Sequence, residues 1–303
     1  MYDMIVIGAG TAGLSAAIYG VRAGKTVLVL EAKSYGGQII NTPEVENYPG
    51  IRSISGFEFA TGLYEQAKAL GAQVKYERVL RIEDRGVEKT VVTGKDAYPC
   101  KCVIVATGAK NRPLGVEREQ EMTGKGISYC ATCDGMFFRG KDVAVVGGGS
   151  TALEDAAFLA NYCGTVYVIH RRDAFRGEDR LVRALEKKEN VTYVMDSQVV
   201  ALNGEETLRS VTVENKKTKE RTELPVSGLF IAIGQMPDNG AFAELVELDP
   251  AGYVRAGEDC RTSAQGIFTA GDCRTKAVRQ LTTAAADGAV AALAACVYID
   301  GLD

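Results

Sequence analysis

The stretch Asp3–Glu31, DMIVIGAGTAGLSAAIYGVRAGKTVLVLE, decides the fold, because the chain repeats its pattern at Asp142–His170, DVAVVGGGSTALEDAAFLANYCGTVYVIH. Laid in register, Asp3 meets Asp142, and the apolar run Met4–Ile7 meets Val143–Val146. Gly8, Gly10 and Gly13 meet Gly147, Gly149 and Ala152, and Ala17 meets Ala156. Each copy reads as a short β-branched strand, a glycine turn, an alanine-rich helix and a second strand, which is one βαβ unit. The glycines have separate tasks. The first permits the tight turn, and the second lets backbone N–H groups at the helix start approach a pyrophosphate. The third position must be small so that helix packs on strand. A lone glycine motif is weak evidence, but two copies in register, each between strand and helix, form a strong signal.

The residues that end each second strand tell the copies apart. Glu31 accepts hydrogen bonds from adenosine ribose hydroxyls and repels a 2′-phosphate, which suits FAD or NAD. The equivalent place in the second copy holds His170, Arg171 and Arg172, with Arg176 close behind. Guanidinium forks match phosphate oxygens, so this copy reads as an NADPH site. Cys102–Gly108 (CVIVATG), Leu229–Gly234 (LFIAIG) and Gly266–Asp272 (GIFTAGD) read as further strands closed by glycine. In flavoproteins an acid after such a strand reaches the ribityl chain, and Asp272 is the candidate. The expected fold class is therefore α/β, with two Rossmann-like dinucleotide-binding domains, the NADPH domain inserted into the FAD domain. The expected boundaries are 1–112 and 243–303 for FAD and 113–242 for NADPH, with crossings at Asn111–Leu114 and Gly234–Gly240.

Composition narrows the function classes. The 303 residues are 46% hydrophobic, enough for two cores, and carry a net charge of −4. That balance offers no footprint for nucleic acid. The basic run Lys216–Arg221 reads as a solvated hairpin loop between two strands. Ala284–Ile299 is apolar but contains Asp287 and is shorter than the roughly 20 residues of a membrane span. With an N-terminus unlike a signal peptide, the expectation is a cytoplasmic protein with no membrane role.

Eight cysteines in such a compartment point to redox or metal chemistry wherever two stand close. Cys130-Ala-Thr-Cys133, followed by Asp134 and Gly135, has the spacing of a redox dithiol. A zinc site would need two further ligands, and no second CxxC exists. The other six cysteines read as small buried hydrophobes. The chain has one histidine, His170, so Asp134 is the candidate donor of the proton for a leaving thiolate, the other reading being a plain loop-turn acid. Desolvation of its carboxyl is expected from Met136, Phe137 and Phe138.

From Gly8 to Gly288 the chain resembles low-molecular-weight NADPH-thioredoxin reductases. The resemblance rests on GAGTAGLSAA (Gly8–Ala17), Gly36-Gly37-Gln38, ENYPG (Glu46–Gly50), CATCDG (Cys130–Gly135), GGGSTA (Gly147–Ala152), HRRDAFR (His170–Arg176), Ala270-Gly271-Asp272 and Arg279-Gln280. It departs at Leu281, where a small residue often follows the Arg-Gln pair, and in the wording of Ile233–Asn239. The resemblance implies that Gly37 and Gln38 belong to the FAD site and that Asn47, Asp272, Arg279 and Gln280 line the flavin. It also implies a homodimer, with Cys133 facing the flavin ring and Cys130 attacking the disulfide of thioredoxin or a thioredoxin-like partner. Dithiol and NADPH site then share one domain and the flavin occupies the other, so two alternating domain orientations are expected. A ferredoxin- or flavin-fed relative would have degraded NADPH motifs, and a dithiol oxidase would not need them. A non-catalytic NADPH sensor would have no use for the CxxC-Asp set.

Overall fold

The computed structural model describes residues 1–42 and 44–302, and of Asn41 the backbone alone. The chain opens with β1 (Tyr2–Ile7), α1 (Thr11–Arg22), β2 (Val27–Glu31), α2 (Gly56–Ala69) and β3 (Gln73–Tyr76). A meander of β4 (Val79–Arg85), β5 (Glu88–Thr93) and β6 (Ala97–Val105) follows, and β7 (Ala109–Asn111) leads out. Next come α3 (Glu119–Met122), β8 (Ile127–Ser128), α4 (Ala131–Asp134), β9 (Val143–Val146), α5 (Ser150–Leu159), β10 (Val166–Ile169) and α6 (Asp179–Leu185). After them stand β11 (Val191–Val194), β12 (Ser197–Asn203), β13 (Ser210–Asn215), β14 (Arg221–Pro225) and β15 (Gly228–Ile231). The return runs through β16 (Gln235–Pro237) and β17 (Ile267–Thr269) and ends in α7 (Leu281–Asp300).

Two compact units result, Met1–Lys110 with Met236–Asp303, and Asn111–Gln235. The return therefore falls at 235/236, not at the expected 242/243. The reason is Phe242, which is buried with Val246 and Val254 against Ile7 and Val103 of the first unit. The two crossing strands β7 and β16 pair with each other.

The first unit is built on a sheet in the order β3-β2-β1-β6-β5-β4, with β17 also on β6. β6 does two jobs along its length. Ala97–Cys100 pair antiparallel with β5, and Cys100–Val105 run parallel to β1. Its Val103, Ile104 and Val105 are fully buried, as the continuous apolar run requires of a strand covered on both faces. Helices α1 and α7 pack against each other on one face. At 20 residues α7 is longer than the sequence suggests, and by length and composition it could cross a bilayer. Its Asp287 is buried in an ion-pair network and Ala291, Ala292 and Ala295 are packed in the core, which is the environment of a core helix.

The second unit repeats the plan in smaller form, with a parallel sheet β11-β10-β9-β15-β8. Beside it lies an antiparallel sheet β12-β13-β14, and the Lys216–Arg221 run forms the β13–β14 turn together with the first residue of β14. Both βαβ copies thus carry a glycine turn at the carboxyl end of their first strand, where ligands of open α/β sheets bind.

Candidate functional site: two nucleotide turns and a disulfide

In the first unit, Gly8, Gly10 and Gly13 form the turn from β1 into α1. A Cβ on Gly13 would lie 1.9 Å from the Gly8 carbonyl oxygen, and one on Gly8 would lie 2.3 Å from the Ala106 carbonyl oxygen. Helix and strand are therefore in backbone contact here, and only glycine fits. Gly10 faces open space except for the Gly37 Cα, 3.9 Å from where its Cβ would stand. Glu31 ends β2 beside this turn; its Oε2 accepts from the Ala9 N–H at 2.9 Å and its Oε1 from the Lys33 N–H at 2.8 Å. The carboxylate therefore fixes the glycine loop as well as offering acceptor capacity outward. A cavity of about 150 Å³ opens here, lined by Gly8, Glu31, Lys33, Arg78, Thr107 and Phe242 among others.

The remaining residues expected around a flavin form two groups. The Gln38 side-chain amide donates to the Ala109 carbonyl. Asn47 Nδ2 donates to Gln280 Oε1 at 3.3 Å, which joins a loop after β2 to the start of α7. Arg279 lies over the Tyr253 ring at 4.2 Å, and its Nε donates to the Asp272 carbonyl at 3.5 Å. Asp272 Oδ1 is buried and has no hydrogen-bond partner among the described residues. Burial raises the pKa of this carboxyl, and Lys276 and Arg279 oppose the rise. A buried acceptor left open beside the glycine turn is what a ribityl hydroxyl would satisfy, so the residues fit FAD.

Beneath Asp272 lies a network absent from the sequence reading. Asp287 Oδ1 and Oδ2 accept from Arg274 Nη2 and Nε, both at 2.8 Å, and Oδ2 also accepts from Lys276 Nζ and the Gly271 N–H, each at 2.9 Å. Burial would raise the Asp287 pKa, but the bonds from Arg274 and Lys276 outweigh it and hold it low. The visible signal was a single acid inside an alanine-rich apolar run.

In the second unit, Gly147, Gly149 and Ala152 occupy the turn from β9 into α5, and a Cβ on Gly149 would meet nothing within 4 Å. Arg171, Arg172 and Arg176 are exposed, and among the described residues none of them is ion-paired. Arg176 is positioned through its backbone, whose N–H donates to the Gly148 carbonyl at 2.7 Å. His170 behaves differently from its arginine neighbours. Its ring is 4% exposed and lies against Gly148, whose Cβ would come within 2.2 Å of it. Burial lowers its pKa, a bond to the Ala174 backbone opposes that, and Arg176, Arg172 and Arg171 lower it further. The neutral ring wedges the glycine turn from below.

The redox pair is formed: Cys130 and Cys133 are joined by a disulfide, with Cα atoms 5.3 Å apart. The other six cysteines are free and buried. Cys130 is half-buried at the start of the short helix α4 and Cys133 is exposed. Asp134 ends that helix. Burial raises its pKa, and a hydrogen bond from Ser128 opposes the rise. Of the three apolar neighbours expected to bury it, Met136 and Phe137 are 53% and 45% exposed, while Phe138 is half-buried with its ring against Phe230. All three stand in the single 3-10 turn Gly135–Phe138 that follows α4. On the opposite side of Cys130, Tyr129 donates to Glu119 Oε1 at 2.6 Å. The Glu119 carboxylate is buried and also accepts from the Leu114 and Gly115 N–H groups at 2.8 and 2.7 Å. No motif marked Ser128, Tyr129 or Glu119, because their roles depend on a β-strand and a loop meeting far from any glycine turn.

Two glycine turns with different strand ends, and a disulfide followed by an acid, define a dinucleotide-dependent disulfide oxidoreductase. The chain belongs to the pyridine nucleotide-disulphide oxidoreductase family, which it matches over residues 2–288. It is 44% identical over 302 residues to a thioredoxin reductase of Treponema pallidum, covering 99% of this chain and 98% of that one. It is 39% identical over 303 residues to a Bacillus subtilis thioredoxin reductase, covering 100% and 96%. The crystal structure of a Streptococcus pyogenes thioredoxin reductase aligns over 99% of both chains with a TM-score of 0.95 and 41% identity.

Proposed function

We infer that the protein is a thioredoxin reductase, carrying two electrons from NADPH to the disulfide of thioredoxin or a thioredoxin-like protein. The observation that carries this reading is the Cys130–Cys133 disulfide with Asp134 in the same unit as the arginine-edged turn. The other unit holds the Glu31-edged turn and the open Asp272 acceptor.

Gly147, Gly149 and Ala152 cradle the NADPH pyrophosphate, Arg171, Arg172 and Arg176 hold the 2′-phosphate, and His170 supports their turn. Gly8, Gly10, Gly13, Glu31, Gly37 and Gln38 hold the adenosine and pyrophosphate half of FAD. Asn47, Asp272, Arg279 and Gln280 hold its ribityl and ring half. When bound, FAD supplies a two-electron store between nicotinamide and disulfide. Cleavage of the Cys130–Cys133 bond by those two electrons leaves two sulfur anions. The Cys130 thiolate attacks one sulfur of the partner disulfide, and the departing sulfur takes a proton from Asp134. The Cys133 thiolate then attacks Cys130, re-forming the internal disulfide and releasing the partner's second sulfur, which takes its proton from water. Dithiol and nicotinamide must each meet the same ring at about 3–3.5 Å, so the two units alternate between orientations with the crossings near 110 and 235 as hinges.

The reading is of a cytoplasmic enzyme, since six unpaired cysteines fit a reducing compartment. It is also of a homodimer. Val290, Leu293 and Val297 leave an exposed apolar stripe on α7, with exposed Tyr19 on the adjoining α1, a surface for a second copy. Sedimentation of the purified protein checks this, and a monomer at micromolar concentration refutes it.

The deciding test is NADPH oxidation by the purified yellow protein with a bacterial thioredoxin, coupled to release of a disulfide dye. Cys130→Ser should keep flavin reduction by NADPH and lose thioredoxin reduction. It should also show a long-wavelength absorbance from the Cys133 thiolate against the flavin, which Cys133→Ser lacks. A protein that binds NADPH but never oxidises it with either thioredoxin or the dye is a sensor, and the reading fails.

A further inference from the structure

Ser128 is 4% exposed and stands in β8, where it is paired with Phe230 of β15. Its hydroxyl has three neighbours. Oγ lies 2.6 Å from Asp134 Oδ2, accepts from the Cys130 N–H at 3.0 Å, and lies 3.3 Å from the Cys130 carbonyl. A serine has one proton to donate, and the short contact to the carboxyl is the stronger of the two acceptors. One buried hydroxyl on a sheet strand thus ties the backbone of one redox cysteine to the acid that follows the other.

We propose that Ser128 is a positioning residue for proton transfer, holding Asp134 through Oδ2 so that Oδ1 is the oxygen that delivers the proton to the departing thiolate. This rests on the thioredoxin reductase reading and adds to it the geometry of the acid step. In that step the Cys130 thiolate forms a bond to one sulfur of the partner disulfide, and the bond between the partner's two sulfurs breaks. The electron pair leaves on the second sulfur, which takes the proton from Asp134 Oδ1, and Asp134 becomes a carboxylate. The Ser128 hydrogen bond is then charge-assisted, so it is stronger after the proton leaves than before. Such an interaction lowers the barrier and does not merely bind the ground state.

The surroundings support a role for Ser128 in setting the acidity. The elements packed around Asp134 carry Cys130 and Cys133 on its own helix and Glu154 and Asp155 on α5. Tyr162, just beyond α5, has its hydroxyl close to Gly135, at 2.2 Å from where a Cβ on that glycine would lie. Burial raises the Asp134 pKa, and the Ser128 bond lowers it. Removing the hydroxyl therefore pushes the Asp134 pKa higher still.

The test is stopped-flow kinetics on the FAD-loaded protein, with flavin bleaching by NADPH and reoxidation by thioredoxin followed separately from pH 6 to 9. Ser128→Ala should leave bleaching within about twofold and slow reoxidation on the order of tenfold, the scale of one hydrogen bond to a charged group. The pH limb of reoxidation that reports Asp134 should move to higher pH. Ser128→Thr, which keeps a hydroxyl, should restore both. Ser128→Ala combined with Asp134→Asn should be no slower than Asp134→Asn alone. Should Ser128→Ala fail to fold, Ser128→Cys, with its weak S–H donor, carries the same expectations. Equal loss in both half-reactions, an unmoved pH limb, or full multiplication of the two defects overturns the proposal. A wild-type protein that NADPH bleaches but no thioredoxin reoxidises overturns the functional reading instead.

Discussion

The two βαβ copies share a backbone plan and differ where side chains meet the turn. In the first, helix and strand are in backbone contact at Gly13, and a carboxylate, Glu31, bonds back into the loop. In the second, Ala152 takes the place of Gly13, and its methyl group lies 2.6 Å from where a Cβ on Gly147 would stand, space that the glycine leaves free. A buried imidazole, His170, supports the loop from below, and three exposed guanidinium groups line its edge. The turn itself is therefore generic. On the proposed reading, discrimination between nucleotides comes from Glu31 in one copy, which also shapes its turn, and from the cationic rim in the other, where His170 serves the turn's shape.

The contrast is most sharply tested at the third glycine position. Gly13→Ala forces a methyl group onto a backbone oxygen and should destabilise the first unit by about 3 kcal/mol, the upper part of the overpacking range. The purified protein should lose most of its flavin, as read from absorbance and thermal unfolding. Ala152→Gly in the other copy should cost only about 1 kcal/mol through helix propensity. Equal effects would mean that the two turns pack alike.

Next in size is the cationic rim. Arg171→Ala with Arg176→Ala should raise the KM for NADPH by tens-fold and leave that for NADH nearly unchanged. Charge-assisted bonds to phosphate are worth roughly 1.5–3 kcal/mol each, and solvent exposure lowers that. Equal weakening of both coenzymes would remove these arginines from the 2′-phosphate. Glu31→Gln should then weaken FAD binding by about tenfold, measured by fluorescence titration of the apoprotein. It keeps one acceptor for Ala9 or Lys33 but loses the charge that strengthens both bonds.

The smallest effect is that of pH on the histidine wedge. A His170 pKa lowered in the folded protein means that the unfolded chain binds more protons below its ordinary value of about 6.5. Stability from the neutral ring is present above that pH and is lost as pH falls toward the folded value. Urea midpoints should drop between pH 7 and pH 5.5, and His170→Gln should flatten that slope while lowering stability at pH 7. A slope unchanged by the substitution would show the ring to be charged or solvated.

Much of this was legible in the chain itself. Short apolar strands, alanine helices and glycine turns have local causes, so both βαβ copies stand where their periodicity put them. The CxxC spacing likewise brings two sulfurs together within one helical turn. What escaped were contacts between segments remote in sequence. Met136, Phe137 and Phe138 read as a desolvating wall for Asp134, yet Met136 and Phe137 are largely exposed, and the group bonded to the carboxyl is Ser128. Phe242 read as part of the inserted domain, yet it packs in the core of the first unit.

By itself, then, the sequence determined the two glycine turns, their opposite strand ends and the cysteine pair, because each is written within about 30 consecutive residues. The tertiary structure alone decided which polar groups are buried and what they hold. Asp287 joins Arg274, Lys276 and the Gly271 N–H under Asp272, and Glu119 joins Tyr129 to the Leu114–Gly115 backbone. Burial makes such contacts strong, because an unpaired polar group out of water is costly. Burial is a property of how distant segments close over one another, and no local pattern records it.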